Sequence, residues 1–349
     1  MKQILIDDLQ RICDSDLCFD KFYGKSILVT GATGLIGSLT VKALLYCNKK
    51  KALNLTVLAM VRNTAKAASV FEEFSEDPAL VFVTGDLQAD RLDIDHDIDY
   101  IVHAAAVTTS KLMVADPVGT IRTQINGTEL MLDLAVAKKV TSMVFLSSME
   151  VYGQPSGSGM TKETDLGYVN LANVRSCYPE GKRMSECLCT AYAAQYGLNV
   201  KSARLAQTFG AGILPTENRV FAQFARSAMN GTDIVLHTTG ESEGNYVYTS
   251  DAITGILMLL LKGEAGQAYN IVNEESHTSI RHMAEMVAEE IADGKIRVVI
   301  DIPQDSASLG YAPPVKMHLS ASKMNALGWK AGIGLKDAYL RMMEWMEEN

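Results

Sequence analysis

Ser26-Ile27-Leu28-Val29-Thr30-Gly31-Ala32-Thr33-Gly34-Leu35-Ile36-Gly37 is the stretch on which the fold turns. Ser26–Thr30 is a short apolar, β-branched run of the kind that forms a buried parallel strand. It leads into a G-x-x-G-x-x-G turn, and Ser38 to Leu45 then follow a helical pattern. Strand, glycine turn and helix in that order form a dinucleotide-binding unit. Gly31 permits the tight turn, Gly34 lets backbone N–H groups approach a pyrophosphate, and Gly37 lets the helix pack closely on the strand. Thr33, Leu35 and Ile36 complete the turn. The start of the helix offers free N–H groups and the positive end of its dipole to a phosphate.

Working outward, strands and helices alternate. Strands are expected at Leu55–Arg62, Leu80–Thr84, Tyr100–His103, Ser142–Leu146 and Val200–Leu205. Helices are expected at 38–47, 64–75, 117–139 and 178–196. Such alternation predicts a Rossmann-type, doubly wound parallel α/β sheet. Beyond residue 205 the pattern loosens. It reads as helices at 219–230, 251–262, 278–291 and 335–347, strands at 233–237, 268–272 and 296–301, and a polar stretch at 303–315. The expected plan is a helical extension (1–22), a nicotinamide-dinucleotide-binding domain (23–205) and a smaller C-terminal α/β substrate lobe (206–349). Part of 240–275 is expected to return to the first domain.

The chain has 349 residues and a net charge of −9, which argues against nucleic acid and anionic membrane surfaces as partners. Its six cysteines, at 13, 18, 47, 177, 187 and 189, form no CxxC pair and no Cys/His cluster with metal spacing. They read as reduced thiols of a cytoplasmic protein without a metal centre. The N-terminus carries acids where a signal peptide carries bases. The longest apolar run, Ile256–Leu261, is too short to span a bilayer.

Two residues carry the expected chemistry. Tyr178 and Lys182 are four apart in a helical pattern and share one face. A cation ~4 Å from a phenol, at an effective dielectric of ~20, favours the phenolate by about 4 kcal/mol, lowering its pKa by roughly three units. Tyr178 then becomes a proton acceptor and donor for a substrate hydroxyl. The strand at 142–146 runs into Ser147-Ser148-Met149-Glu150, and strand carboxyl ends are where open α/β sheets bind ligands. There Ser148 is placed to hydrogen-bond a substrate oxygen, and Glu150 is either a carboxylate facing the substrate or a pairing residue at the strand end.

Together, the glycine turn, Gly85-Asp86-Leu87, His103-Ala104-Ala105, Ser148 and Tyr178/Lys182 resemble the extended short-chain dehydrogenases/reductases that modify nucleotide sugars. The resemblance implies that Asp86 and Leu87 flank the adenine and that Ala104, Ala105 and Ala106 line the cofactor. It also makes Ser148, Tyr178 and Lys182 a catalytic triad. Glu150-Val151-Tyr152-Gly153, Tyr168-Val169-Asn170 and Arg175-Ser176-Cys177-Tyr178-Pro179-Glu180-Gly181-Lys182-Arg183 resemble UDP-glucuronate decarboxylases, where the glutamate at Glu150 assists chemistry at C5 of the sugar. The family's 4,6-dehydratases place an aspartate where Met149 stands. By the resemblance Gln207 and His237 fall at substrate-contact positions, and Arg219 is a further candidate substrate contact. Relatives pair as homodimers through two helices, here 117–139 and 178–196, with Met131, Leu134, Leu188 and Ala191 as candidate face residues.

The chain departs from that pattern at four places. Gln124 and Gln207 replace asparagines, and Ala211-Gly212 replaces Pro-Arg. Gly244 replaces an arginine that grips the substrate diphosphate, a contact glycine cannot make; Arg219 and Arg226 are the candidate substitutes. The second strand ends at Arg62 with no acid for a ribose 2′-hydroxyl, which favours NADP(H) over NAD(H). The expected activity is hydride transfer between a sugar carbon, C4, and a nicotinamide, in the manner of a decarboxylase. A nucleotide-sugar epimerase, an NADPH-dependent reductase and a non-catalytic cofactor-binding regulator or scaffold are the alternatives.

Overall fold

Why the chain forms a seven-stranded parallel sheet is visible in a computed structural model, which describes residues 1–157, 159–302 and 315–347. In chain order the elements begin with α1 (Gln3–Cys13), β1 (Ser26–Thr30), α2 (Leu35–Lys51), β2 (Thr56–Val61), α3 (Thr64–Val70), β3 (Leu80–Thr84) and β4 (Tyr100–His103). Next come α4 (Ser110–Ala115), α5 (Pro117–Ala137), β5 (Ser142–Ser148), α6 (Cys177–Tyr196), β6 (Val200–Leu205), β7 (Gln207–Phe209), α7 (Val220–Asn230) and β8 (Ile234–Leu236). The chain continues through β9 (Glu243–Tyr248), α8 (Thr249–Lys262), β10 (Ala268–Ile271), β11 (Asn273–Ser279), α9 (Ile280–Met286), β12 (Val298–Ile300), α10 (Ser322–Ala326) and α11 (Leu335–Glu347).

The main sheet has the order β10-β6-β5-β4-β1-β2-β3, and each adjacent pair runs parallel. A parallel strand covered on both faces reads as a continuous apolar run, and β1 obeys this. Ile27 and Val29 enter the core shared with Leu44, Ile256 and Leu257, while Leu28 packs with Met131 and Leu132 on the other face. Helix α1 lays Leu5, Leu9 and Ile12 into the first of these cores. Two polar contacts tie it down: Tyr248 Oη donates to Asp8 (2.6 Å) and Arg11 pairs with Asp251 (3.0 Å). Helix α5 starts where Pro117 takes the first position and Asp116 accepts the Gly119 N–H at 3.0 Å, the arrangement helix starts favour. Helix α6 stops at Gly197, in the left-handed region at φ 67°, as a helix end prefers.

Strand β10, from the 240–275 stretch, pairs with β6 as the sheet's seventh strand. A smaller sheet, β11-β9-β7, and a parallel pair, β12-β8, lie outside it around a separate core of Phe209, Phe221, Tyr246, Met283 and Tyr339.

Several expectations are corrected. β7, β9 and β11 have no counterpart in the sequence reading. The helix expected at 278–291 begins only at Ile280 and turns into a π turn at Val287–Ile291. The helix expected at 64–75 ends at Val70, and a 3-10 turn follows at Glu72–Phe74. Met131 and Leu134 are buried on the core-facing side of α5, so neither is available to a second subunit; Leu188 is half-buried and Ala191 exposed. Of the polar stretch 303–315, residues 303–314 lie outside the described residues.

Candidate active site

The carboxyl ends of the parallel strands place the candidate residues along one edge. Gly31 follows β1, Arg62 follows β2, Gly85-Asp86 follows β3, Ala104 follows β4, and Ser148 ends β5. At the glycine turn the backbone is crowded at the first and third glycines. Gly31 adopts φ 61°, and a Cβ there would come within 2.8 Å of the Ala105 backbone. A Cβ on Gly37 would stand 2.2 Å from the Gly31 carbonyl oxygen. Gly34 caps α2 without any side-chain hydrogen bond, leaving the first-turn N–H groups of Leu35, Ile36 and Gly37 for a ligand. This bare, side-chain-free cradle fits the pyrophosphate of a dinucleotide.

Around it, Thr33, Ala104, Ala105 and Ala106 are half-buried. The Ala105 N–H donates to Thr30 Oγ1 at 3.2 Å. Asp86 is exposed and accepts the Gln88 N–H (3.0 Å), while Leu87 is buried against Gly127. Arg62 is exposed beyond β2. His103 is buried and contacts Thr30 Oγ1 through Nδ1 at 2.8 Å. Burial, together with the Lys182 charge, pushes its pKa down to about 3, so it stands as a neutral imidazole.

The reaction centre forms where β5 meets α6. The Ser148 hydroxyl lies near enough to Tyr178 to favour its phenolate, and Ser148 Oγ accepts the Glu150 N–H at 3.2 Å. Tyr178 is 8 % exposed and packs against Met113 and Cys177. Lys182 is fully buried: its ammonium donates to the Leu146 carbonyl at 2.7 Å and lies 4.6 Å from the Phe145 ring centroid and 5.9 Å from that of Tyr178.

This geometry corrects the expected electrostatics. Burial outweighs all else at the phenol and, with the Glu150 charge, pushes Tyr178 up to about 12. Burial likewise pushes Lys182 down to about 8. The cations that favour the phenolate are Arg175 and Arg219. The spacing of four places Lys182 on the right face of α6 but says nothing of depth, and a charged form loses hydration in proportion to depth.

Glu150 is held by Arg175, whose Nη2 donates to its Oε1 at 2.9 Å. Sequence reasoning gave Arg175 no role, nor Phe145, although both flank residues it did single out. Gln207 lies half-buried in β7. Arg219 is clamped by Glu217 through contacts of 3.0 and 2.7 Å. Arg226 gives its Nη2 to the carbonyls of Pro215 and Glu217. His237, exposed past β8, is engaged with the Asp301 carbonyl at 3.0 Å. At Gly244 a Cβ would meet only the Met149 methyl, at 3.6 Å.

A parallel sheet with a bare glycine turn at its carboxyl edge and a Ser-Tyr-Lys set beside it defines a Rossmann-fold dehydrogenase/reductase. More particularly, the chain belongs to the NAD dependent epimerase/dehydratase family, whose model matches residues 27–273, and it is an NAD-dependent enzyme of that type. It is 31 % identical over 334 residues to UDP-glucuronic acid decarboxylase 6 of Arabidopsis thaliana, covering 95 % of this chain and 91 % of that one. UDP-glucuronic acid decarboxylase 1 of Xenopus tropicalis is 28 % identical, with 93 % and 72 % covered. Among solved structures, the dTDP-glucose 4,6-dehydratase of Streptomyces venezuelae with NAD bound superposes with a TM-score of 0.74 at 26 % identity, covering 93 % and 97 %. The UDP-glucuronic acid 4-epimerase of Bacillus cereus, with UDP-glucuronic acid and NAD, has the same fold (TM-score 0.75, 22 % identity, 93 % and 99 % covered). Among the described residues no helix is long and apolar enough to cross a membrane.

Proposed function

We propose that the protein modifies a nucleotide sugar by reversible oxidation at C4, and that UDP-glucuronate, which it decarboxylates, is its substrate. The observation that carries this reading is the meeting of Ser148, Glu150 and Tyr178 in one cluster on the edge that also holds the glycine turn. The curated relatives that match nearly the whole chain support it.

In this reading Tyr178 takes the proton of the C4 hydroxyl and later returns it, and the Ser148 hydroxyl steadies the carbonyl oxygen that forms. Lys182 and the arginines near the phenol supply positive charge to a site that burial makes hostile to the phenolate. Glu150 serves the proton chemistry at C5 after the carboxylate leaves as carbon dioxide. The dinucleotide cofactor, when bound, supplies the hydride acceptor and donor at its nicotinamide; Gly31, Gly34, Leu35, Ile36 and Gly37 would hold its phosphates, and Asp86 and Leu87 its adenine. Gln207 and Arg219 are the proposed substrate contacts, with His237 on the nucleotide side.

NAD is the cofactor we adopt. The preference for NADP(H) rests on the exposed Arg62 alone, whereas the solved relatives hold NAD. The proposed assembly is a homodimer through α5 and α6, whose exposed Val118, Ile121 and Met184 take the place of Met131 and Leu134. Six free thiols fit a cytoplasmic setting.

Mass spectrometry of UDP-glucuronate incubated with the protein and NAD tests the reading. Loss of carbon dioxide is the expected result. An isomer of unchanged mass makes the enzyme an epimerase, and a gain of two hydrogens makes it a reductase. No change with this or any other nucleotide sugar overturns the proposal.

A further inference from the structure

We propose that Arg175 is a positioning residue of this reaction centre, holding the Glu150 carboxylate in place and offsetting its charge beside the Tyr178 phenol. The inference rests on the nucleotide-sugar reading above. Arg175 lies on the 3-10 turn Val174–Ser176 immediately before α6, and Asn173 Oδ1 accepts its backbone N–H at 2.9 Å. From that fixed base the guanidinium reaches two groups at once. Nη2 donates to Glu150 Oε1 at 2.9 Å, and Cζ lies 5.3 Å from the centroid of the Tyr178 ring. The side chain is 26 % exposed, and Nη1 is buried with no hydrogen-bond partner among the described residues. A buried donor left without a partner is costly and calls for an explanation.

The charges around the phenol show what the pair does. Tyr178 faces Glu150 from the turn after β5, Arg175 from the turn before α6, Arg219 from the start of α7, Cys177 beside it and Lys182 one helical turn on. The Glu150 carboxylate opposes a negative charge on the phenol, and the two arginines favour one. Arg219 is committed to Glu217, and the Lys182 ammonium to the Leu146 carbonyl. Among the described residues, Arg175 is the cation that both pairs with the Glu150 carboxylate and lies over the Tyr178 ring. Without it the carboxylate and the nascent phenolate face each other with less compensation. A lysine offers a point charge in place of a planar fork and serves one of the two contacts better than both.

The test is single-turnover formation of reduced nicotinamide from UDP-glucuronate across pH, because this first oxidation does not need the C5 chemistry of Glu150. Wild type is compared with R175M, R175K, E150Q and the double variant R175M/E150Q. R175M is expected to slow the step about tenfold and to move the acid-side limb of the profile up by about one pH unit. R175K should recover part of the rate. In the E150Q background, loss of Arg175 should move the limb by less, because only its direct pull on the phenol remains and the part exerted through Glu150 is gone. An unmoved limb, or an equal shift in both backgrounds, overturns the inference.

If wild type oxidises no nucleotide sugar, the functional reading fails and the inference is decided separately. The ring resonance of Tyr178 is followed in 13C-tyrosine-labelled protein saturated with NAD, assigned with Y178F. At a fixed pH close to the wild-type midpoint of this resonance, R175M must show a smaller ionised fraction than wild type, and an equal fraction overturns the inference.

Discussion

Lys182 Nζ stands 5.9 Å from the centroid of the Tyr178 ring and gives its hydrogen bond to the Leu146 carbonyl, with the Phe145 ring 4.6 Å away. A buried ammonium with one hydrogen bond and one aromatic face is poorly compensated for lost hydration. Its pKa accordingly falls from 10.5 to about 8. The folded value lies below the unfolded one, so the charge costs stability throughout the range below pH 8, and the cost fades as pH rises from 8 to 10.5. By linkage it amounts to about 3 kcal/mol at neutral pH. Lys182→Met should therefore abolish turnover yet raise the melting temperature of the cofactor-free protein by about 2–4 °C at pH 7. Melts at pH 7 and pH 10 check this: the gain should shrink at the higher pH, and a loss of stability at pH 7 contradicts the argument.

Tyr178→Phe removes the phenol and keeps the ring packed against Met113 and Cys177. The expected loss is about 10²–10⁴-fold in the oxidation step, the range for removing a general acid–base, with NAD affinity within about twofold of wild type. Stopped-flow absorbance and calorimetry separate the two. A variant that keeps full rate removes Tyr178 from the mechanism.

The glycine turn separates two alanine substitutions by geometry. A Cβ on Gly37 meets the Gly31 carbonyl oxygen at 2.2 Å, whereas on Gly34 the same oxygen is 3.3 Å away. Backbone cannot yield as a flexible side chain can. Gly37→Ala should lower both the melting temperature and NAD affinity, the latter by tenfold or more, costing about 1.4 kcal/mol or above. Gly34→Ala should melt close to wild type. Equal melting temperatures for the two variants contradict this account.

These glycines were legible because their reasons are local: strand, turn and helix follow one another within Ser26–Lys51. The second sheet was not legible, and β11 shows why. Asn273–Ser279 reads Asn-Glu-Glu-Ser-His-Thr-Ser, with no apolar alternation. Its buried positions are polar: Ser276 bonds both the N–H and the carbonyl of Tyr246. Hydrogen bonding to a strand distant in sequence, rather than apolar burial, fixes that segment, so no pattern in one chain announces it. Met131 and Leu134 failed as interface residues for a related reason, since a helical stripe marks an apolar face without saying whether sheet or subunit covers it. At the site, residue types and spacing were readable from Ser148, Tyr178 and Lys182. Their depth, which reverses the expected shift at Tyr178, was not.

Gly244 gives the sharpest test of where the substrate's phosphates run. It lies in β9 opposite Thr278, and a Cβ there meets nothing closer than the Met149 methyl at 3.6 Å. Its φ is not in the left-handed region, so a side chain is accepted without backbone strain. Gly244→Arg should fold with an unchanged melting temperature. If the diphosphate passes β9 as the family resemblance implies, the new guanidinium forms charge-assisted hydrogen bonds worth about 1.5–3 kcal/mol. The KM for UDP-glucuronate should then fall about tenfold with kcat held. An unchanged KM in a well-folded variant instead places the phosphates elsewhere, with Arg219 the next candidate, and Arg219→Ala should then raise the KM.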